Sequence, residues 1–513
     1  MGLTAESLMH RHTRYPRTLL IWLFVTAVTV PACNREQPPP VLQREAKTSK
    51  PVSSPQDDRH SMQSSTASEN RQPAANAAPD EATTRHLNTE TPSPKNVWRP
   101  DDSRQPRDEA LLAEVGIRTF ESKRLKLYTD IDARTADNLP ALIDALYVEL
   151  EQYFGPLPAN RKGTEFQISG YLMKELALFR ELSLVPENLI INHGRHLKNE
   201  FWMRDQTFDY YRRHLLIHES THCFMMFTPP VRARVWYFEG MAEYFGAHTL
   251  SDDQVPTFGV VPTSIDAFAG FDRITTIRDE VAAGNSQTID SIFAFQPVDF
   301  LTTKHYAWSW ALCLFLDQSP QYQRRFRDLA RLQEGVDFTQ SFRQSFERDR
   351  SDLDTAWELF ATNLQYGYDI GRAAIDFKSG NDLVDNQRVT IAADRGWQSS
   401  GIRLKKGQTY KLTASGQFTL ADRPKPWLSE PRGISFQYFD GHPLGMLLGC
   451  VKSEPPVLGE PESMLKAFEL GESRELQAEV SGTLYLRLND AWDSLRDNRG
   501  QVDVTIEPLN TPQ

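Results

Sequence analysis

The sequence predicts an α+β domain followed by an all-β sandwich domain, with a disordered N-terminal tether ahead of both. Three observations carry this. Residues 34–105 are rich in Pro, Ser, Thr, Gln, Asn and charge and nearly lack aromatics, so they cannot bury enough apolar surface to offset chain entropy. Residues 106–380 mix strand-like runs with apolar residues at helical spacing. From residue 387 onward, short strand-like runs recur between Gly, Pro and Asp turns. The expected division is a signal segment over 1–33, a linker over 34–105, the α+β domain over 106–380 and the sandwich over 386–510.

The N-terminus reads as a targeting signal. Arg11, Arg14 and Arg17 precede an apolar stretch over 18–30 that is too short to span a bilayer comfortably. It ends in Val30-Pro31-Ala32-Cys33, which is similar to a bacterial lipobox. That resemblance implies acylation of Cys33 and a lipid-anchored protein of the bacterial cell envelope, on the periplasmic or outer cell surface, tethered to a membrane and not embedded in it. An ordinary secretory signal, giving a secreted protein, is the alternative. The chain of 513 residues carries a net charge of −11, which argues against a nucleic-acid partner, since phosphate binding needs a basic surface.

In the α+β domain, 124–129 alternates as a strand does. A helix is expected over 133–154, with Leu139, Leu142, Ile143, Leu146, Leu150 and Tyr153 on one face. Further strands are expected over 166–172 and 189–193, and 199–204 is the expected sheet edge beside the functional site. Residues 207–228 contain no Gly or Pro and suit a long helix, stopped by Pro229-Pro230. Residues 305–364 are mostly helical in pattern.

The 207–228 helix carries His218-Glu219-Ser220-Thr221-His222, an H-E-x-x-H run. Two histidines at i and i+4 sit one above the other on a helix and reach one metal ion together. Glu219 then faces the attacking water as general base. Glu239, in Trp236-Tyr237-Phe238-Glu239-Gly240-Met241-Ala242-Glu243-Tyr244, is the candidate third ligand and leaves a fourth zinc position open. The structural alternative is a pair of ordinary surface histidines and a solvated helix acid.

This combination resembles the gluzincin metallopeptidases, especially the peptidase-MA-like branch, with their W-x-x-E-G-x-A-x-Y pattern. The resemblance implies a zincin-like fold, zinc on His218, His222 and Glu239, and Glu219 as base. Glu243, one turn after Glu239, would orient a ligand histidine, or else be an exposed helix acid. Tyr306, opening Tyr306-Ala307-Trp308-Ser309-Trp310-Ala311-Leu312, matches the family tyrosine that donates to the oxyanion; a merely packed tyrosine is the alternative. The G-x-M-E-N segment of the aminopeptidase branch is not visible, which favours endopeptidase action on a peptide or protein substrate.

In the last domain, Leu484-Tyr485-Leu486-Arg487-Leu488-Asn489-Asp490 followed by Asp497-Asn498-Arg499-Gly500 is similar to the calcium-dependent galactophilic lectin fold of the PA-I type. The segments 407–416 and 443–449 also resemble strands of that fold. The resemblance implies Ca²⁺ on Asp490, Asp497 and Asn498 with Ser494 as a carbonyl donor, and a glycan ligand beside it. The histidine and glutamine that clasp galactose have no match between residues 421 and 440, so galactose itself is not implied. A β-sandwich that keeps this turn for structural reasons is the alternative.

After Cys33 only Cys223, Cys313 and Cys450 remain. They read as buried free thiols, with a Cys223–Cys313 bridge open in an oxidising compartment. The functional expectation is a zinc metallopeptidase targeted by a lectin-like domain. Its rivals are a non-catalytic surface or glycan-binding protein on a zincin scaffold, and a zinc hydrolase of a non-peptide substrate.

Overall fold

The computed structural model describes residues 98–102, 104–228, 234–266, 272–332, 336–455 and 463–509. The signal segment, Cys33, nearly all of the tether and Pro229-Pro230 lie outside the described residues. A five-stranded sheet comes first: β1 (Arg118–Glu121), β2 (Leu125–Thr129), β3 (Ile168–Met173), β4 (Gly194–Leu197) and β5 (Glu200–Arg204), in the order β1-β2-β3-β5-β4. The three inner strands are parallel, and β1 and β4 close the two edges antiparallel. One face packs Leu127, Leu172, Phe201 and Met203 against the helices Leu139–Phe154 and Asp209–Met225. The other stacks Tyr128, Tyr171 and Trp202, with ring centroids 5.3 and 5.4 Å apart, over Leu112, Phe179 and Val185.

Three expectations need correction here. The sheet edge at the site is β4, and 199–204 contributes the inner strand β5. Phe201, Trp202 and Met203 are buried in succession, the mark of a strand covered on both faces. β4 alternates half-buried and exposed, as an edge does. Residues 189–193 form no strand; pairing begins at Gly194. The helix expected over 133–154 is two, Ala133–Ala136 and Leu139–Phe154. Pro140, lacking an N–H, suits the first turn of a new helix better than the interior of a continuous one.

Beyond the sheet the chain is helical, with Val235–Gly246, Arg273–Ala282, Thr303–Gln318 and Arg350–Asn363 the longer elements. Among the described residues no helix is long and apolar enough to cross a membrane.

The C-terminal half is β-rich. One sheet runs Arg432–Phe439, His442–Ser453, Gly482–Leu488, Gln398–Leu404, Asn381–Asp382; the other runs Trp427–Ser429, Phe418–Ala421, Arg499–Leu509, Thr409–Ser415, Ser473–Gln477. Leu484, Leu486 and Leu488 of the first meet Leu412, Val502, Val504 and Ile506 of the second in one core. The Gly482–Leu488 strand is buried at every position because its opposite face is covered too. Tyr485, Leu448, Cys450 and Trp492 join the core of the helical part. Trp492 stacks on Tyr368 at 5.5 Å, Arg487 lies 3.8 Å over the Trp492 ring, and Lys452 pairs with Asp352 at 2.9 Å. Trp492→Ala is expected to lower stability by about 3–5 kcal/mol, read as a lower denaturation midpoint of the whole chain.

Candidate metal centre

The helix Asp209–Met225 buries His218, Glu219 and His222, with the two histidines reaching Glu239 of the Val235–Gly246 helix. The two imidazole rings lie 4.5 Å apart and perpendicular, with Nε2 atoms at 3.0 Å. Glu239 Oε2 completes the triangle, 3.2 Å from His222 Nε2 and 3.4 Å from His218 Nε2. These three side chains form one of two groups among the described residues able to hold a metal ion. Donors about 2.0–2.2 Å from a tetrahedral ion lie roughly 3.3–3.6 Å from one another, so the triangle comes close to the size of one tetrahedral face.

Gly240, next to Glu239, explains how that helix reaches its place. A Cβ there would meet the Ser309 carbonyl oxygen at 2.6 Å and Cys313 Sγ at 2.7 Å, so glycine lets it lie directly against Thr303–Gln318.

Glu243 is fully enclosed. Its Oε1 lies 3.2 Å from His218 Nδ1, and its Oε2 lies 3.3 Å from His214 Nε2 and 2.9 Å from Arg273. A carboxylate on Nδ1 keeps the proton there and turns the Nε2 lone pair toward Glu239. His214, His218 and Glu243 are the second such group. The Arg273 guanidinium on Glu243 opposes a cation there, so this group holds His218 in place.

The electrostatics favour positive charge between the imidazoles. Burial raises the carboxyls of Glu219, Glu239 and Glu243, yet the surrounding His218, His222, His196, His214 and Arg273 bring all three below the usual carboxylate range. Burial alone would lower His218, but hydrogen bonds to Glu239 and Glu243 raise it to about 10. His222 goes to about 4, because burial outweighs Glu239. When a metal ion takes the place of the His218 proton, three ionised carboxylates face one guanidinium, and a dication offsets that negative charge.

Glu219 sits between the centre and β4. A Cβ on Gly194 would fall 2.2 Å from its Oε1, and His196 Nδ1 is 3.4 Å from its Oε2. Tyr306 is half-buried at the start of Thr303–Gln318, its ring 6.2 Å from that of His218 and 5.6 Å under the Arg273 guanidinium. Burial and the nearby Glu239, Glu243 and Glu219 push its hydroxyl up, so it keeps its proton at neutral pH. Sequence reasoning missed His196, Arg273, His214 and Phe238, the last stacked on His222 at 4.3 Å. Of these only His214 has a local signal, one helical turn before His218.

The β-rich half holds the other predicted residues. Asp490 Oδ2 accepts from Asn498 Nδ2 at 2.9 Å and Oδ1 accepts from the Ala491 N–H at 2.7 Å. Asn498 Oδ1 is buried with no hydrogen-bond partner. Ser494 bonds to Asp493 and to the Ala491 carbonyl, and Asp497 has no hydrogen bond to Asp490 or Asn498 among the described residues. Cys223, Cys313 and Cys450 are buried, and Cys223 and Cys313 are free thiols. The Cys223–Cys313 bridge is therefore not formed: Cys223 Sγ points at the Glu200 carbonyl at 3.6 Å, and Cys313 packs against Gly240.

No family model matches the chain, and no curated protein does. Among solved structures it resembles the PllA-like lectin EclA N-terminal domain, at 19% identity and a TM-score of 0.19 over 24% of this chain and 95% of that one. It also resembles IMPa from Pseudomonas aeruginosa in complex with an O-glycopeptide, at 13% identity and a TM-score of 0.16 over 51% of this chain and 26% of that one. A further match is the IMPa metallopeptidase in complex with T-antigen, at 11% identity and a TM-score of 0.15, covering 75% and 46% of the two chains. The chain thus spans less than half the length of the IMPa chains. At TM-scores this low none of the three carries the functional reading, which rests on the side-chain geometry.

Proposed function

We propose that this protein is a zinc-dependent hydrolase of peptides on a zincin-like domain, anchored to the cell envelope through Cys33 and directed to a glycan surface by its β-sandwich. The observation that carries the reading is the convergence of His218 Nε2, His222 Nε2 and Glu239 Oε2 within 3.0–3.4 Å, with the Glu219 carboxylate alongside. Two nitrogens and one carboxylate oxygen on a tetrahedral face are a donor set that fits zinc, and they leave one position open. Zinc, when bound, supplies Lewis-acid polarisation of the scissile carbonyl and lowers the pKa of water there.

The chain's own groups do the rest. Glu219, ionised beside Gly194 and His196, accepts a proton from the attacking water and returns it to the leaving amine. Glu243 and Arg273 keep His218 oriented. Tyr306 holds its proton and donates a hydrogen bond to the oxyanion, charge that develops only in the transition state. The open edge of β4 offers backbone groups to an extended peptide. Tyr306→Phe is expected to lower kcat about a hundredfold with KM little changed. A packing role would instead show as lost stability at intact kcat.

The sandwich would raise the concentration of envelope substrate near the site. Calcium is proposed at Asp490, Asp497, Asn498 and the Ser494 carbonyl; the orphaned Asn498 Oδ1 beside the Asp490 carboxylate fits a hard cation.

The test is hydrolysis of a denatured protein, short blocked peptides and free-amino peptides by the full chain, with and without chelator. Chelator-sensitive cleavage of the first two supports the reading. Cleavage of free-amino peptides alone would make it an exopeptidase. Bound zinc with no peptide cleaved would move it to a non-peptide substrate or a binding scaffold.

A further inference from the structure

One more imidazole reaches the centre beside the His218–His222–Glu239 triangle and Glu219. His196 lies on β4, where Gly194 and His196 are half-buried and Arg195 and Leu197 are exposed. Strand side chains alternate, so Gly194 and His196 share the face turned to Glu219. The space a side chain at 194 would fill is taken by Glu219, whose Oε1 would lie 2.2 Å from a Cβ there. Its other oxygen, Oε2, is buried without a geometrically complete hydrogen bond, and His196 Nδ1 approaches it to 3.4 Å. The imidazole is wedged between other rings, 4.4 Å from His222 and 5.6 Å from Phe238. It does not belong to the metal-holding group of His218, His222 and Glu239.

We propose that His196 is a positioning residue for Glu219: its Nδ1–H holds Oε2 against β4, while the bare Cα of Gly194 admits Oε1. A buried carboxylate with neither partner nor fixed rotamer loses both its solvation and its aim. The β4 pair Gly194/His196 supplies a seat and a clasp. The clasp is supplied by the same edge strand that is proposed to pair with substrate, so the base is registered against the strand the peptide lies on. This inference rests on the hydrolase reading only for its kinetic arm.

The experiment uses the full chain loaded with zinc, as wild type, His196→Ala, His196→Asn and Gly194→Ala. Metal content, kcat and KM on a blocked peptide, and the crystallographic position of the Glu219 carboxylate are read for each. The expected result for His196→Ala is kcat about 10–100-fold lower, with KM and zinc content unchanged and Glu219 turned away from β4. His196→Asn, which keeps an N–H donor near the same point, recovers most of the loss. Gly194→Ala displaces Glu219 and lowers kcat at least as far. Unchanged kcat with an unmoved Glu219 in His196→Ala would overturn the proposal. So would loss of zinc in both His196 variants, which would make the residue a ligand or a fold determinant. If the wild-type zinc protein hydrolyses nothing, the hydrolase reading fails, and the position of Glu219 still decides the role of His196.

Discussion

Glu219→Gln is expected to lower kcat by about a thousandfold while leaving zinc content and fold intact. The amide has the carboxylate's shape, so it still fits between Gly194 and His196 and leaves the neighbouring ligands alone. What it lacks is a site for the water proton. Two features of the wild type make the loss large. The carboxylate is 4% exposed, so bulk water does not readily replace it. His196, His218 and His222 outweigh the burial that would raise its carboxyl, so it is ionised and ready to accept a proton. The check is kcat on a blocked peptide beside metal analysis. Activity within a factor of two of wild type would remove Glu219 from the chemistry.

Glu239→Ala is expected to weaken zinc binding beyond the roughly 10–100-fold typical of losing a group that only supports a ligand. Glu239 Oε2 is one corner of the 3.0–3.4 Å triangle, and nothing else in it is anionic. Its removal leaves two imidazoles and a site with one fewer negative charge to balance a dication. Hydrolysis should fall with metal occupancy and return in part at high zinc. Competition against a chromophoric chelator measures the affinity directly. Unchanged affinity would show that the third ligand lies elsewhere. Glu243→Gln is the natural comparison, since Glu243 touches His218 Nδ1 and not the triangle.

The centre was legible where chemistry follows local periodicity. His218, Glu219 and His222 lie on one helix with no breaker, and Glu239 and Glu243 repeat one turn apart on the next. The alternative of Glu243 as an exposed acid fails because His214 and Arg273, from two other places in the chain, close over it. Arg273 could not be anticipated, since nothing near it in the sequence marks a partner 30 residues away. His196 lies on Gly194–Leu197, outside the expected edge 199–204, and nothing local marks it as a neighbour of Glu219. The run 199–204 has the length of an edge strand, but its three central apolar residues need cover on both faces. In the β-rich half the alternating residues 410–415 and 502–506 mark, by period two, the strands Thr409–Ser415 and Arg499–Leu509. The short strands Phe418–Ala421 and Trp427–Ser429 did not, being too brief for a period to show. Sequence could likewise not show that Trp492 and Tyr485 belong to the helical core, because only the docked arrangement covers the outer face of that sheet.

The most direct test of the central claim is the zinc content of the purified full chain after exposure to equimolar zinc and removal of excess metal. The account predicts about one zinc per chain, lost on chelation together with peptide hydrolysis and restored with it. A chain that retains no zinc when the metal is supplied would contradict it.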